Sequence, residues 1–297
     1  MNTIPSSNNQ AIVRRPVHHK VNFRKMLPPA VLACIMAVSG ASPASAALDP
    51  IQSAARPFGL SIVAPVQQPN SDAQSAAFQS KELPTLVSWI KKNLPEYTEV
   101  TNFSTKNLDP ALLTMKTTDD VRVYFVGEGA GYQDTLGFNT KGTGAKTGNP
   151  ELIFPNASSP VSSYATISQS GTRSASEPLM PGDFVDLGKI QAGTQLDFFL
   201  ISGGATGGST VFSTKASANA DGLRHVVAYT AKDSPYLLLA FEDMPGGGDK
   251  DYNDVMIAIK GTLTTAPEPS TFFILGSFLL PVIYLGRQKS RNMLNQA

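Results

Sequence analysis

Val121-Arg122-Val123-Tyr124-Phe125-Val126 decides the fold class. Its first half alternates apolar and polar, and β-branched and aromatic residues fill it, which marks a strand and not a helix. Segments of the same kind recur downstream at 135–139, 151–154, 183–187, 195–201, 210–213, 224–230, 236–241 and 254–260. Clusters of Gly, Pro, Asn and Asp separate them. No helical pattern interrupts this texture, so residues 119–263 are expected to form an all-β domain, an antiparallel β-sandwich of jelly-roll-like type. The absence of a 20–50-residue repeat argues against a solenoid or propeller.

Upstream, Leu83, Leu86, Val87, Ile90 and Leu94 fall on one helical face, and Pro95 follows. This predicts a short amphipathic helix within a helical lead-in over 81–118. Trp89, the only tryptophan, is expected to be a partly buried packing residue. Residues 47–80, rich in Ala, Ser, Gln and Pro, read as a flexible linker.

Both ends carry export signals. Arg14, Arg15, Lys20, Arg24 and Lys25 precede an apolar stretch from Leu27 to Ala41, and Ala44-Ser45-Ala46 offers a small-residue cleavage site. Residues 1–46 therefore read as a signal peptide, with Met26 as an alternative start. Arg14-Arg15 lacks the hydrophobic follow-up of a twin-arginine signal, which favours the Sec route. The single cysteine, Cys34, falls inside this segment, so the mature chain would have neither disulfide nor thiolate metal site.

At the other end, Pro267-Glu268-Pro269-Ser270 leads into an uncharged apolar run and then Arg287, Lys289 and Arg291. The run is about 16 residues, slightly short for a membrane-spanning helix, and the basic stop after it should stay cytoplasmic. This arrangement over 266–291 resembles the PEP-CTERM sorting signal of Gram-negative bacteria. The resemblance implies an inner-membrane intermediate, processing by an exosortase-type enzyme, and a cell-surface or extracellular destination in an exopolysaccharide setting. The tail Asn292 to Ala297 departs from the usual pattern.

The whole chain has a formal charge of +1. The basic residues named at the two ends account for that balance, while Glu268 is the only acidic residue there, so the body is acidic. That argues against a nucleic-acid partner and suits a cation-binding surface.

The acidity concentrates between two strands. Glu242, Asp243, Asp249, Asp251, Asn253 and Asp254 crowd one loop, with Gly246-Gly247-Gly248 in its middle. Carboxylates this dense repel one another unless a cation neutralises them, and hard oxygen donors at this spacing suit Ca²⁺. Asp249, Asp251 and Asn253 at alternate positions resemble the first half of an EF-hand loop. Asp254 stands where that loop needs Gly, and Lys260 where it needs Glu, so it is not one. The competing reading is a solvated hairpin whose Asp and Asn side chains only cap turns.

The run Phe241-Glu242-Asp243-Met244-Pro245-Gly246-Gly247-Gly248-Asp249-Lys250-Asp251-Tyr252-Asn253-Asp254-Val255 also resembles the closing motif of a domain of unknown function from bacterial exported and surface proteins. Glu128-Gly129-Ala130-Gly131-Tyr132 resembles that family's opening motif. The resemblance implies a β-sandwich, an extracellular home and no established activity. It implies ion-site roles for Glu242, Asp243, Asp249, Asp251, Asn253 and Asp254. Glu128, Asp134 and Asp221 would add oxygens if their loops share that edge.

No G-x-S-x-G elbow or H-E-x-x-H helix occurs. His225, the only histidine beyond the signal, reads as a packing or hydrogen-bonding residue. No catalytic residues are assigned. The expected protein is non-enzymatic, structural or adhesive, with exopolysaccharide or surface proteins as partners. The alternative is a glycoside hydrolase-like, polysaccharide-acting enzyme of the same compartment.

Overall fold

The structure, a computed structural model, describes residues 51–100, 107–161, 171–230 and 234–265. The expected signal peptide and PEP-CTERM segment lie outside these residues. Among the described residues no helix is long and apolar enough to cross a membrane.

The chain enters through a helical stretch in three pieces: α1 (Ala73–Ala77), a π-helical turn (Phe78–Glu82) and α2 (Leu83–Asn93). Asp72 and Ser75 form a capping box at its start, each side chain bonding to the other's backbone N–H. The strands are β1 (Asn107–Leu108), β2 (Thr114–Met115), β3 (Asp119–Glu128), β4 (Thr135–Asn139), β5 (Pro150–Phe154), β6 (Phe184–Ile190), β7 (Asp197–Ser202), β8 (Thr210–Ser213), β9 (Val226–Thr230), β10 (Tyr236–Phe241), β11 (Val255–Lys260) and β12 (Leu263–Thr264). They pair into a six-stranded sheet ordered β1-β9-β10-β11-β3-β6, a four-stranded sheet ordered β5-β4-β7-β8, and the pair β12-β2. All strand pairings are antiparallel. The described protein is thus mostly antiparallel sheet with one short helical stretch.

The six-stranded sheet is covered on both faces. Along β10, Leu237, Leu239 and Phe241 join a cluster that also holds Phe138, Phe154, Phe198 and Leu200 of the four-stranded sheet. Tyr236, Leu238 and Ala240, pointing the other way, pack with Phe78, Leu83, Leu86 and Ile90 of the helical stretch. On β3, Phe125 meets Phe154 of β5 edge to face at 6.0 Å, while Tyr124 stacks on Phe78 at 3.9 Å. Burial on both faces explains why Tyr236–Phe241 is apolar throughout, a pattern that a strand with one wet face would not need. Each large side chain fully buried in this way contributes about 1.5–3 kcal/mol. Arg122 of β3 ties helix to sheet, pairing with Asp72 at 2.8 Å and Asp186 at 2.6 Å and lying over the Phe184 ring.

Two expected boundaries are corrected. Residues 47–80 were expected to be a flexible linker, yet the described part from Ile51 is packed and ordered by specific contacts. Ile51 and Val66 are buried in the inter-sheet cluster. Val63 N–H donates to Leu152 O, and Gln67 and Phe184 exchange two backbone hydrogen bonds. β5 and β6 are edge strands of the two sheets, so this segment occupies otherwise open edge groups on both. Ala- and Gln-rich composition hid this, because backbone pairing leaves no mark in side-chain pattern. Likewise 81–118 is not only a helical lead-in. Its last part supplies β1 and β2, which pair with β9 and β12.

Candidate metal centre

β10 and β11 close on each other at Phe241↔Val255, and the acidic loop is the connection between them. Asp254 N–H donates to Phe241 O at 3.1 Å, and Glu242 N–H to His225 O at 2.9 Å, which fixes both ends of the loop. Its middle turns through Pro245–Gly247, with positive φ at Gly246, Gly247 and Gly248. A side chain at Gly248 would overlap Glu242 Oε1 as well as strain the backbone.

Glu242, Asp243, Asp251 and Asn253 are buried, whereas Asp249 is exposed and Asp254 half-buried. Oxygens of Glu242, Asp249 and Asp251 lie within 4.8 Å of one another, and so do oxygens of Glu242, Asp243 and Asp254. These groups can hold a metal ion. The carboxylates fall into two groups that share Glu242.

Two further acids reach this edge. Asp134, just before β4, lies against the Asp243 carboxyl. Its Oδ1 accepts from Gly203 N–H at 2.8 Å, and its Oδ2 is buried without a hydrogen-bond partner. Glu128 arrives by a β-bulge. Met256 pairs with Gly127 but Ile257 with Phe125, so Val126 is the extra residue. Val126 packs toward the helix, and the bulge returns Glu128, opposite Val255, to the inter-sheet side. Its Oε1 accepts from Ser159 N–H at 3.1 Å.

Asp221 does not join the cluster as anticipated. Its Oδ2 accepts from Gly246 N–H at 2.9 Å and bonds His225 Nε2 at 2.8 Å, so it braces the loop from behind. His225 is fully buried, stacks on Phe212 at 3.8 Å and reaches Glu242 O at 3.2 Å. That is the packing and hydrogen-bonding role expected of it. Lys250 turns away and pairs with Glu99 at 3.0 Å.

Residues 95–100 lie over the loop, a contact that sequence reading missed. Tyr97 N–H donates to Asp251 Oδ2 at 2.8 Å, and Val100 N–H to Lys250 O at 2.9 Å. Glu96 Oε2 and Asn253 Oδ1 both sit beside Gly129, where an added Cβ would come within 2.6 Å of the Asn253 oxygen. Glu96 Oε2 is buried and unpartnered. Lone Glu96 after a helix, some 150 positions upstream of the loop, carries no local signal that could have found it.

The electrostatics follow from this crowding. Burial first, then the charges of Asp254, Asp249 and Asp251, push the Glu242 carboxyl up to about 9. Burial and then Asp134 raise Asp243 to about 8. Asp134 and Asp254 rise to about 7, and Asp251 to about 6, each mainly through burial. At neutral pH such a cluster must hold either protons or a cation. The donors are all oxygen, with no Cys or His among them, which suits a hard ion.

A family described as a domain of unknown function, DUF4114, matches residues 190–262, a stretch that contains β7 through β11 and the whole acidic loop. No curated protein and no solved structure matches the chain.

Proposed function

We propose that this chain is an exported, surface- or matrix-associated β-sandwich protein of jelly-roll-like type, non-enzymatic, whose acidic loop binds Ca²⁺. The observation that carries the reading is that Glu242 Oε2, Asp243 Oδ2 and Asp134 Oδ2 are buried together with no hydrogen-bond partner. A buried anionic oxygen without a donor costs several kcal/mol unless a cation supplies the missing interaction. Calcium fits better than magnesium. The loop offers several carboxylate oxygens in one place, whereas Mg²⁺ keeps several waters and takes few carboxylates.

The glycosidase alternative needs carboxylates divided across a sugar. Clustering of Glu242 with Asp249 and Asp251, and with Asp243 and Asp254, supports the ion reading instead. The export route, an exosortase-type partner and contacts with exopolysaccharide or surface proteins belong to the same proposal, on the strength of the terminal motifs.

Two experiments test it. Millimolar Ca²⁺ is expected to raise the melting temperature, since binding at 100-fold excess over Kd adds about 2.7 kcal/mol. Asp251→Ala should shrink that rise, and Lys250→Ala, which removes only the contact with Glu99, should keep it in full. Identical melting curves in chelator and in calcium would reject the ion site. Separately, Glu268→Ala should leave export intact but block C-terminal processing in the producing cell. A mature mass lacking the C-terminal segment in both forms would rule out recognition through this glutamate.

A further inference from the structure

We propose that the loop is a two-ion centre in which Glu242 bridges an inner and an outer Ca²⁺; the proposal rests on the calcium reading above. Oxygens bound to one Ca²⁺ stand about 2.3–2.6 Å from it, so they lie within roughly 5 Å of each other. Each group, spanning at most 4.8 Å between its oxygens, matches one such sphere. Only Glu242 belongs to both.

The two spheres differ in setting. The inner one is formed by Glu242, Asp243 and Asp254, with Asp134 against Asp243. Glu242, Asp243 and Asp134 are all at most 2% exposed, and each holds an unpartnered oxygen. Backbone donors already occupy other oxygens of this set: Gly203 N–H on Asp134 Oδ1 and Asp243 N–H on Asp254 Oδ2. The orphaned oxygens are therefore the ones left for a metal.

The outer sphere is formed by Glu242, Asp249 and Asp251, and Asp249 is exposed. A single outer ion would leave the buried oxygens of Asp243 and Asp134 without a partner, and a single inner ion would leave the buried Asp251 facing Asp249 with only backbone N–H donors to offset the repulsion. Two ions, joined through the two oxygens of Glu242, neutralise both groups. The inner ion becomes part of the folded core, and the outer one exchanges with solvent through Asp249.

Equilibrium dialysis of the chelator-treated full chain against Ca²⁺, with bound metal counted by elemental analysis, tests this. The expected result is two ions per chain, and one in Asp249→Asn, whose exposed position leaves folding unaffected. One ion in the unmutated protein overturns the two-ion proposal and leaves the calcium reading standing. None overturns both. Two ions, or none, in Asp249→Asn while the unmutated protein binds two overturns the separation into inner and outer sites. Glu242→Gln provides a second check: it should weaken both binding steps, and an effect on one step alone would reject the bridge.

Discussion

Stripped of divalent cations, the protein is expected to lose stability as pH rises from about 5 to about 9. The carboxyls of Glu242, Asp243, Asp134 and Asp254 are raised to about 9, 8, 7 and 7 in the folded state. In the unfolded chain such groups ionise near 4. Between those limits the folded protein holds more protons than the unfolded one, so the slope of stability with pH is negative. The contribution is fully present below pH of about 4 and is lost as pH climbs through the folded values. A tenfold weaker acid in the folded state corresponds to about 1.4 kcal/mol. Because the groups share protons, a conservative total is about 4 kcal/mol, or on the order of 10 °C in melting temperature. On the calcium reading proposed above, the ion takes the place of the protons, so at pH 8 to 9 the protein in calcium should lose little of this. Melting followed by circular dichroism at several pH values, in chelator and in calcium, checks it. A chelator series that is flat or rises with pH would contradict the buried, uncompensated cluster.

The second large effect concerns the helical stretch. A fragment beginning at residue 107 should be insoluble or unfolded. Without residues 51–100, Tyr124, Val126, Phe184, Tyr236, Leu238 and Met256 lose the cover of Phe78, Leu83, Leu86 and Ile90. The edges of β5 and β6 also lose their backbone partners near Val63 and Gln67. At about 1.5–3 kcal/mol for each large side chain uncovered, the loss is comparable to the whole 5–15 kcal/mol that holds a typical domain together. Ile90→Ala in the full chain is the graded control and should cost about 2–5 kcal/mol. A soluble 107–265 fragment with a cooperative melt would show that the helix is a dispensable appendage.

The strands were legible where side-chain pattern and turn residues agree. Segments 135–139, 210–213 and 236–241 coincide with β4, β8 and β10. The helical face of Leu83, Leu86, Val87, Ile90 and Leu94 is buried as its spacing required. What escaped was non-local. β1, β2 and β12 have two residues each, too short for any period to register. The stretch around Val63 and Gln67 is held by backbone groups, which every sequence possesses. At the loop, the density of Asp and Glu pointed to a site, but its division at Glu242 depends on where the hairpin closes. The approach of Glu96 depends on how the helix end is laid across the loop, and the direction of Glu128 on one bulge in β3. None of these follows from spacing along the chain.

The stacking of Trp89 on Tyr229 at 3.8 Å makes this molecule its own two-channel reporter. Since no other tryptophan is present, indole emission registers only the seam between α2 and β9. Amide I infrared absorption, in contrast, resolves the sheets from the helix. If the two signals change together on heating, helix and sheets melt as one cooperative unit. If the indole signal moves first, the helix peels away before the sheets give way, and the apolar sheet face it covers becomes sticky at temperatures where the sheet signal still looks native. Chelator added during such a scan then reveals whether the segment over the acidic loop transmits the loss of ions to the helix.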